Sequence, residues 1–385
     1  MPDGAQNDVT MPVYRFGANA QDIATGSSPA QALEVWTPPL YQEDATKAVL
    51  TQRKGASLSL QAGTTTTLAK ELPTVQAVVG KGAAIHVDPG QAIEVRSAGQ
   101  LTVDGTLRAN GGRIVLKTVD ITDLEADIAN ATAHARSIWI GGQAVLDASA
   151  HAATATDTTG KRYGLVRDGG SIVVGGEIDP VGSKATASQN FVVVRPGALL
   201  DASGTHAVLD VPGMGATDVS SNGGSISLAS YNGLQLDGSL RAVAGGERAA
   251  GGTRAVVLGT PGLRLHLDPL QQAEDRVRRH RVLVLGVEQG APLAPDTLQA
   301  GVNDGALAYG QGRLGTDTVR RGGFDSLSLF AGSTLAFEDG VDLRLRQGLQ
   351  IYAGGLALGT KAPDAAHAAL AGAHVGLAGR EPPST

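Results

Sequence analysis

The chain has 385 residues and sets 31 Lys and Arg against 37 Asp and Glu, a formal net charge of -6. That balance excludes the generally basic surface of a nucleic-acid binder, and the absence of cysteine excludes a disulfide scaffold and a thiolate metal site. Glycine reaches 53 residues while aromatics are only 3%, so the apolar set is Ala, Val, Leu and Ile, which suits thin regular layers better than one large globular core.

Residues 1–54 read as an irregular N-terminal segment, with Pro38-Pro39 as a breaker. The opening MPDGAQNDVTMPVYRFG has no basic region and no apolar core, so no signal peptide is expected there. No run approaches about 18 apolar residues, so no membrane-spanning segment is expected either. Residues 55–260 carry the repeats, broken at 119–137 by a polar, Ala-rich insertion with room for a short helix. Residues 261–321 read as a second insertion. Within it, Asp268 followed by Pro269 marks a capped helix start. The repeats resume over 322–360, and 361–385 is an Ala/Gly-rich tail, either an incomplete coil or disordered.

Two phrases recur. The first is Gly-Gly followed by alternating apolar residues, at Gly111-Gly112, Gly169-Gly170 and Gly223-Gly224, with looser copies at Gly251-Gly252 and Gly322-Gly323. The second is apolar-Asp-small-Ser/Thr, centred on Asp104, Asp147, Asp201 and Asp237. Asp201 follows Asp147 by 54 positions, and Gly223 follows Gly169 by the same 54. Ile138-Trp139-Ile140 maps onto Val192-Val193-Val194 at that offset. A duplicated block of coils follows, each block with a polar excursion, near 150–167 and 204–221. Runs such as Ile226-Ser227-Leu228 alternate with the period of a strand. Strands this short are stable only when equivalent copies stack. The sequence therefore predicts an all-β solenoid with short helical and loop insertions. Its Gly-Gly corners would use positive φ, and its Asp corners would accept backbone N–H bonds. About a dozen coils would make a rod on the order of 60 Å long.

Motifs that carry chemistry are sparse. Gly310-Gln311-Gly312-Arg313-Leu314-Gly315 matches a dinucleotide-binding pattern, but Thr316–Gly323 does not read as the helix such a site needs, so the match reads as a loop. Arg276, Arg278, Arg279, His280 and Arg281 form the densest basic run. It reads either as the solvated face of an inserted helix or as a contact for sulfated or acidic glycans. His86, His134, His151 and His206 are scattered without ligand spacing. Trp139 sits in an apolar strand phrase and reads as core. The corner aspartates read as turn formers. The alternative is an acidic ladder of the kind polysaccharide-cleaving β-helices use. No motif calls for a cofactor or a metal.

Gly-Ala-Leu-Leu-Asp-Ala-Ser-Gly (197–204), Asn-Gly-Gly-Ser-Ile-Ser-Leu (222–228) and Leu-Asp-Gly-Ser-Leu-Arg-Ala (236–242) resemble the repeats of the filamentous haemagglutinin family, large exoproteins of Gram-negative bacteria. The resemblance covers roughly 55–260 and 322–360. It implies a right-handed parallel β-helix, secretion to the cell surface through an outer-membrane two-partner-secretion transporter, and a role in adhesion, biofilm formation or cell contact, with host or bacterial surface glycans as partners. Neither the family's secretion domain nor a catalytic tip has a counterpart in this sequence, so a shaft segment, not an enzyme, is expected. The competing readings are a polysaccharide-degrading β-helix enzyme, with Asp268 or Asp275 beside the basic run, and a glycan-binding module.

Overall fold

The computed structural model describes residues 39–121, 136–178, 184–260, 280–292, 300, 307–360, 363 and 365–379. The first element is an antiparallel hairpin of β1 (Tyr41–Asp44) and β2 (Val49–Gln52), so regular structure begins before residue 55. Three-sided coils follow. The first holds β3 (Leu58–Ala62), β4 (Gln76–Val79) and β5 (Ala84–His86). The second holds β6 (Ala92–Ser97), β7 (Gln100–Val103) and β8 (Thr106–Arg108). The third holds β9 (Arg113–Thr118), β10 (Ser137–Ile140) and β11 (Val145–Asp147), then leaves the stack as the hairpin β12 (Ala152–Thr156) and β13 (Arg162–Val166). The fourth repeats this with β14 (Ser171–Val174), β15 (Phe191–Val194), β16 (Leu199–Asp201) and the hairpin β17 (His206–Val211) and β18 (Gly215–Ser220). The two expected polar excursions are these two hairpins. The fifth coil holds β19 (Ser225–Ser230), β20 (Leu234–Leu236) and β21 (Ser239–Arg241), and β22 (Thr253–Leu258) opens the sixth.

Equivalent strands of successive coils pair in parallel: β3-β6-β9-β14-β19-β22 on the first face, β4-β7-β10-β15-β20 on the second and β5-β8-β11-β16-β21 on the third. The fold is an all-β parallel β-helix. The 54-residue offset is literal register, since Ile138, Trp139 and Ile140 lie beside Val192, Val193 and Val194, and Asp147 lies beside Asp201.

Residues 261–321 do not merely interrupt the helix. β23 (Val282–Gly286) and β24 (Gln311–Gly315) both join the second face, and the later strand, β24, sits between β20 and β23. Thr316–Arg321 then forms a helix, α1, contrary to the sequence reading. The stack continues with β25 (Ser326–Phe337), which runs along the first face and on into the second, and with β26 (Val341–Arg344) on the third. β27 (Gly348–Leu358) repeats β25, β28 (Ala368–Ala371) pairs with β26, and β29 (His374–Gly379) pairs with β27 on the first face. Residues 368–379 of the tail therefore belong to the stack. α1 packs against β21 on one side and β26 on the other, in place of third-face strands. The helix proposed at Asp268–Arg276, and most of 119–137, lie outside the described residues.

The core is a set of side-chain columns. One runs Leu58, Ile93, Ile114, Ile172, Ile226, Arg254, Leu327, Leu349, Val375 along the first face. Its neighbour runs Leu60, Val95, Leu116, Val174, Leu228, Val256, Leu329, Ile351, Leu377. Buried polar groups seal the corner between the first and second faces. Ser230 Oγ donates to the Asn190 carbonyl at 2.8 Å and accepts from the Asn232 amide at 2.9 Å, while Asn190 Nδ2 donates to the Gly99 carbonyl at 3.1 Å.

Two expectations change in detail. Positive φ occurs at Gly111 (58°) and Gly323 (69°), but not at Gly112, Gly169, Gly170, Gly223 or Gly224. Those glycines are required by close approach: a Cβ on Gly224 would lie 1.8 Å from the Gly170 carbonyl oxygen, and one on Gly170 would lie 2.1 Å from that of Gly112. Among the described residues the stack has nine first-face strands, not a dozen levels. At about 4.8 Å per level it is about 40 Å tall. The β12–β13 and β17–β18 hairpins are two-stranded sheets outside the three faces.

Candidate functional site

The four corner aspartates fall on two different corners. Asp147 and Asp201 end third-face strands. Each accepts a bond from the backbone N–H two residues on, Ser149 at 3.0 Å and Ser203 at 2.9 Å. They are neighbours in one column, with Arg108 beside Asp147 and Arg241 beside Asp201. Arg108 Nε meets Asp147 Oδ2 at 2.9 Å, and Arg241 Nη1 lies 3.8 Å from Asp201 Oδ2. Burial pushes the Asp147 carboxyl upward, but the hydrogen bonds from Ser149 and Arg108 outweigh it and hold the pKa below the usual carboxylate value. Asp104 and Asp237 occupy the preceding corner, between the second and third faces. Asp104 accepts from the Gln143 amide at 3.2 Å, and Asp237 accepts from Gln235 Nε2 at 2.8 Å. The acidic ladder is thus only two residues long, and both carboxylates are engaged by turn and arginine.

Of the basic run, Arg276, Arg278 and Arg279 lie outside the described residues. Arg281 is not a surface contact: it is 0% exposed. Its Nε donates to the Tyr231 carbonyl at 2.5 Å and its Nη2 to the Tyr309 hydroxyl at 3.0 Å, with the guanidinium 4.6 Å from the Tyr309 ring centroid. The glycine pattern 310–315 is a strand in the sheet rather than a loop. Gly310 has φ 73°, and Gly312 faces Leu234 and Leu283, so its amides face a sheet and leave no cradle for phosphate.

Trp139 is buried, but on the outside of the second face. With Phe191 and Val193 it packs under Leu307 and Tyr309, while Ile138 and Ile140 point into the helix. Arg195 lies over the Trp139 ring at 5.4 Å. The outer surface otherwise carries ion pairs between successive coils or adjacent segments, such as Arg113 with Glu177 at 3.0 Å and Arg313 with Glu338 at 2.5 Å. A cleft lined by Ala98, Thr118, Asp120, Arg136 and Asn190 has room for about one water.

The residue that sequence reasoning missed is Arg254. It holds the position that Ile226 and Leu327 hold in adjoining coils, so the guanidinium points into the helix, 1% exposed. Its Nη1 donates to Thr318 Oγ1 at 2.8 Å, it lies 5.9 Å from the Phe324 ring, and its Nε has no partner. Burial lowers its pKa to about 10, opposed by the Asp317 carboxylate. The signal was present in the sequence: Arg254 is the one cation in an apolar column whose period was already visible.

Among the described residues, no group of three or more His, Asp or Glu is placed to hold a metal ion, and no helix is long and apolar enough to cross a membrane. Comparison with known protein families, with curated proteins and with solved structures finds no match to this chain.

Proposed function

We propose that the chain is a shaft segment of a secreted, adhesin-like surface protein of the filamentous haemagglutinin type, exported through an outer-membrane two-partner-secretion transporter and serving adhesion, biofilm formation or cell contact. The observation that carries this reading is how the outer side chains are used. Of the repeated aspartates, Asp147 and Asp201 form turns and pair with arginines of neighbouring coils, while Asp104 and Asp237 accept from Gln143 and Gln235, so the residues that recur maintain the stack and do not converge on a substrate. Parallel coils also suit export as an unfolded chain, because each coil contacts only its neighbours and can add to a growing stack outside the cell.

The test is surface display. The chain is fused behind the secretion domain of a two-partner exoprotein, and its exposure to added protease is measured on intact Gram-negative cells with and without the matching transporter. Exposure only with the transporter, as a folded and protease-resistant core, is expected. Retention inside the cell in both cases overturns the reading. A panel of acidic and neutral polysaccharides incubated with the purified chain should release no reducing ends, and release would replace the shaft with an enzyme.

A further inference from the structure

We propose that the β1–β2 hairpin is an acid-released strap: it lies on the β12–β13 hairpin at neutral pH and lifts away when His151 takes up a proton. The strap is hinged at its base. Arg53, just after β2, grips Asp88 at the corner between β5 and β6, with Nε on Oδ2 and Nη2 on Oδ1, both at 2.7 Å. Gln52 Nε2 donates to the neighbouring Pro89 carbonyl at 2.7 Å.

Beyond the hinge the polar hold is light. The Ala45 carbonyl at the tip accepts from the Thr158 amide at 3.3 Å, and Gln52 Oε1 accepts from Arg167 Nη2 at 3.0 Å. Along the same joint three buried polar atoms have no partner: the Tyr41 hydroxyl, the Tyr163 hydroxyl and His151 Nε2. Each gives up water on docking without gaining a hydrogen bond and recovers water on lifting, which makes the docked state shallow. The Tyr41 and His151 rings stack with planes 5° apart and centroids 5.8 Å apart, so the imidazole sits in the joint itself. A free two-stranded hairpin is marginal in water, so a lifted strap also loosens its own ladder and bares Leu50, which is buried while the strap is docked.

The surrounding charges set the direction. His151 lies opposite Arg167 at the foot of the β12–β13 hairpin, where the Arg167 amide donates to the His151 carbonyl at 3.0 Å. A proton on His151 therefore places a second cation across from a guanidinium, a destabilising cross-strand pair. No free carboxylate answers it. Asp88, on the Tyr41 side, is engaged through both oxygens by Arg53. Tyr41 stays neutral, because burial raises its pKa. Glu43, Asp44 and Asp157 face Tyr163 at the far end of the strap, and Lys47 pairs with Asp44 there. Asp44 and Asp157 are held below the usual carboxylate range by hydrogen bonds from Thr46 and Lys161, so they keep their charge while a histidine titrates. The imidazolium is thus better accommodated with the strap lifted and the ring in water. Docking is favoured above the histidine range and lifting as pH falls through it. The device depends on neither export nor adhesion.

The experiment follows amide hydrogen exchange of the full chain between pH 7.5 and 5.5, each rate divided by the intrinsic rate at that pH, with β14 and β15 as the internal reference. In the wild type, protection of residues 41–52 should fall several-fold with acid while that of β14 and β15 holds. In His151→Phe, which keeps the stack and cannot titrate, the strap should stay protected throughout. Tyr41→Phe removes one unpartnered hydroxyl and should raise protection of the strap at both ends of the range while keeping its acid loss. Where the Phe side chain in His151→Phe fails to dock and leaves the strap open at every pH, the His151 ring is titrated by nuclear magnetic resonance in the wild type, and its midpoint should coincide with the loss of protection. Protection of 41–52 that ignores pH overturns the proposal. So does acid loss that survives in His151→Phe, a ring midpoint apart from the opening, or an acid loss shared equally by β14 and β15.

Discussion

At Arg254 a column of buried aliphatic side chains changes to a cation for one coil and then returns to Leu327. Removing a guanidinium from water is costly, and one hydrogen bond to Thr318 with a nearby Asp317 repays only part of it. Arg254→Met, which keeps the volume and restores an apolar column, should therefore leave the melting temperature unchanged or raise it. Arg254→Ala leaves a void and should cost about 3 kcal/mol. Thermal denaturation of the two variants checks this, and a large loss in the Met variant would show that the charge itself holds α1. The glycines make a second test at this scale. Gly224→Ala drives a methyl to 1.8 Å from a carbonyl oxygen of the next coil and should cost about 3 kcal/mol or more, whereas Gly213→Ala, at φ 80° on a hairpin tip with nothing within 4 Å, should cost only about 1 kcal/mol of backbone strain. Urea titration of both separates packing from φ. The Gly-Gly phrase was legible in the sequence, but its cause was not, because close approach is a property of two coils. The same holds for the aspartates. One phrase covered two corners, since an acid before a small residue suits either turn, and only the strand ends tell Asp104 from Asp147.

Among the elements, the hairpins form a layer of their own beside the helix. The β1–β2, β12–β13 and β17–β18 hairpins lie side by side, joined by the Thr158 amide to the Ala45 carbonyl at 3.3 Å and the Arg162 amide to Asp210 Oδ2 at 2.7 Å. His151 stacks on Tyr41 with centroids 5.8 Å apart, and its Nε2 is buried without a partner. Burial, and next the charge of Arg167, lower its pKa. A histidine favoured in its neutral form contributes stability that is fully present above its unfolded pKa, about 6.5, and is lost as pH falls below it, because the unfolded chain takes up the proton more readily. The wild-type melting temperature should fall between pH 7.5 and 5.5 by more than that of His151→Phe, which keeps the stack and cannot titrate. Parallel curves for the two would remove His151 from the acid response. These hairpins were visible in outline as polar excursions, because their polarity and in-register duplication survive in the sequence. The strand order β20-β24-β23 and the helix α1 were not. Local pattern cannot order strands that a long insertion separates, and six residues such as Thr316–Arg321 are too few to show a helical period.

For the whole molecule, stability is nearest-neighbour in kind. Each coil gains from the coil on either side, so the end coils, with one neighbour, are held least. Ile172 lies in the fourth coil with Ile114 and Ile226 against it and is fully buried, while Leu377 has Ile351 on one side only. Ile172→Ala should cost about 3 kcal/mol and lower amide protection across the middle coils. Leu377→Ala should lower it in β29 alone. Hydrogen exchange on the chain should accordingly show protection falling from β14 and β15 toward β3 and β29, because fraying costs one inter-coil interface and global unfolding costs all of them. Uniform protection from β6 to β27 would mean instead that the polar corner ladder and the hairpin layer weld the coils into one cooperative unit. In that case the Leu377→Ala effect should spread beyond β29, and the two substitutions together distinguish a chain that frays by coils from one that opens as a whole.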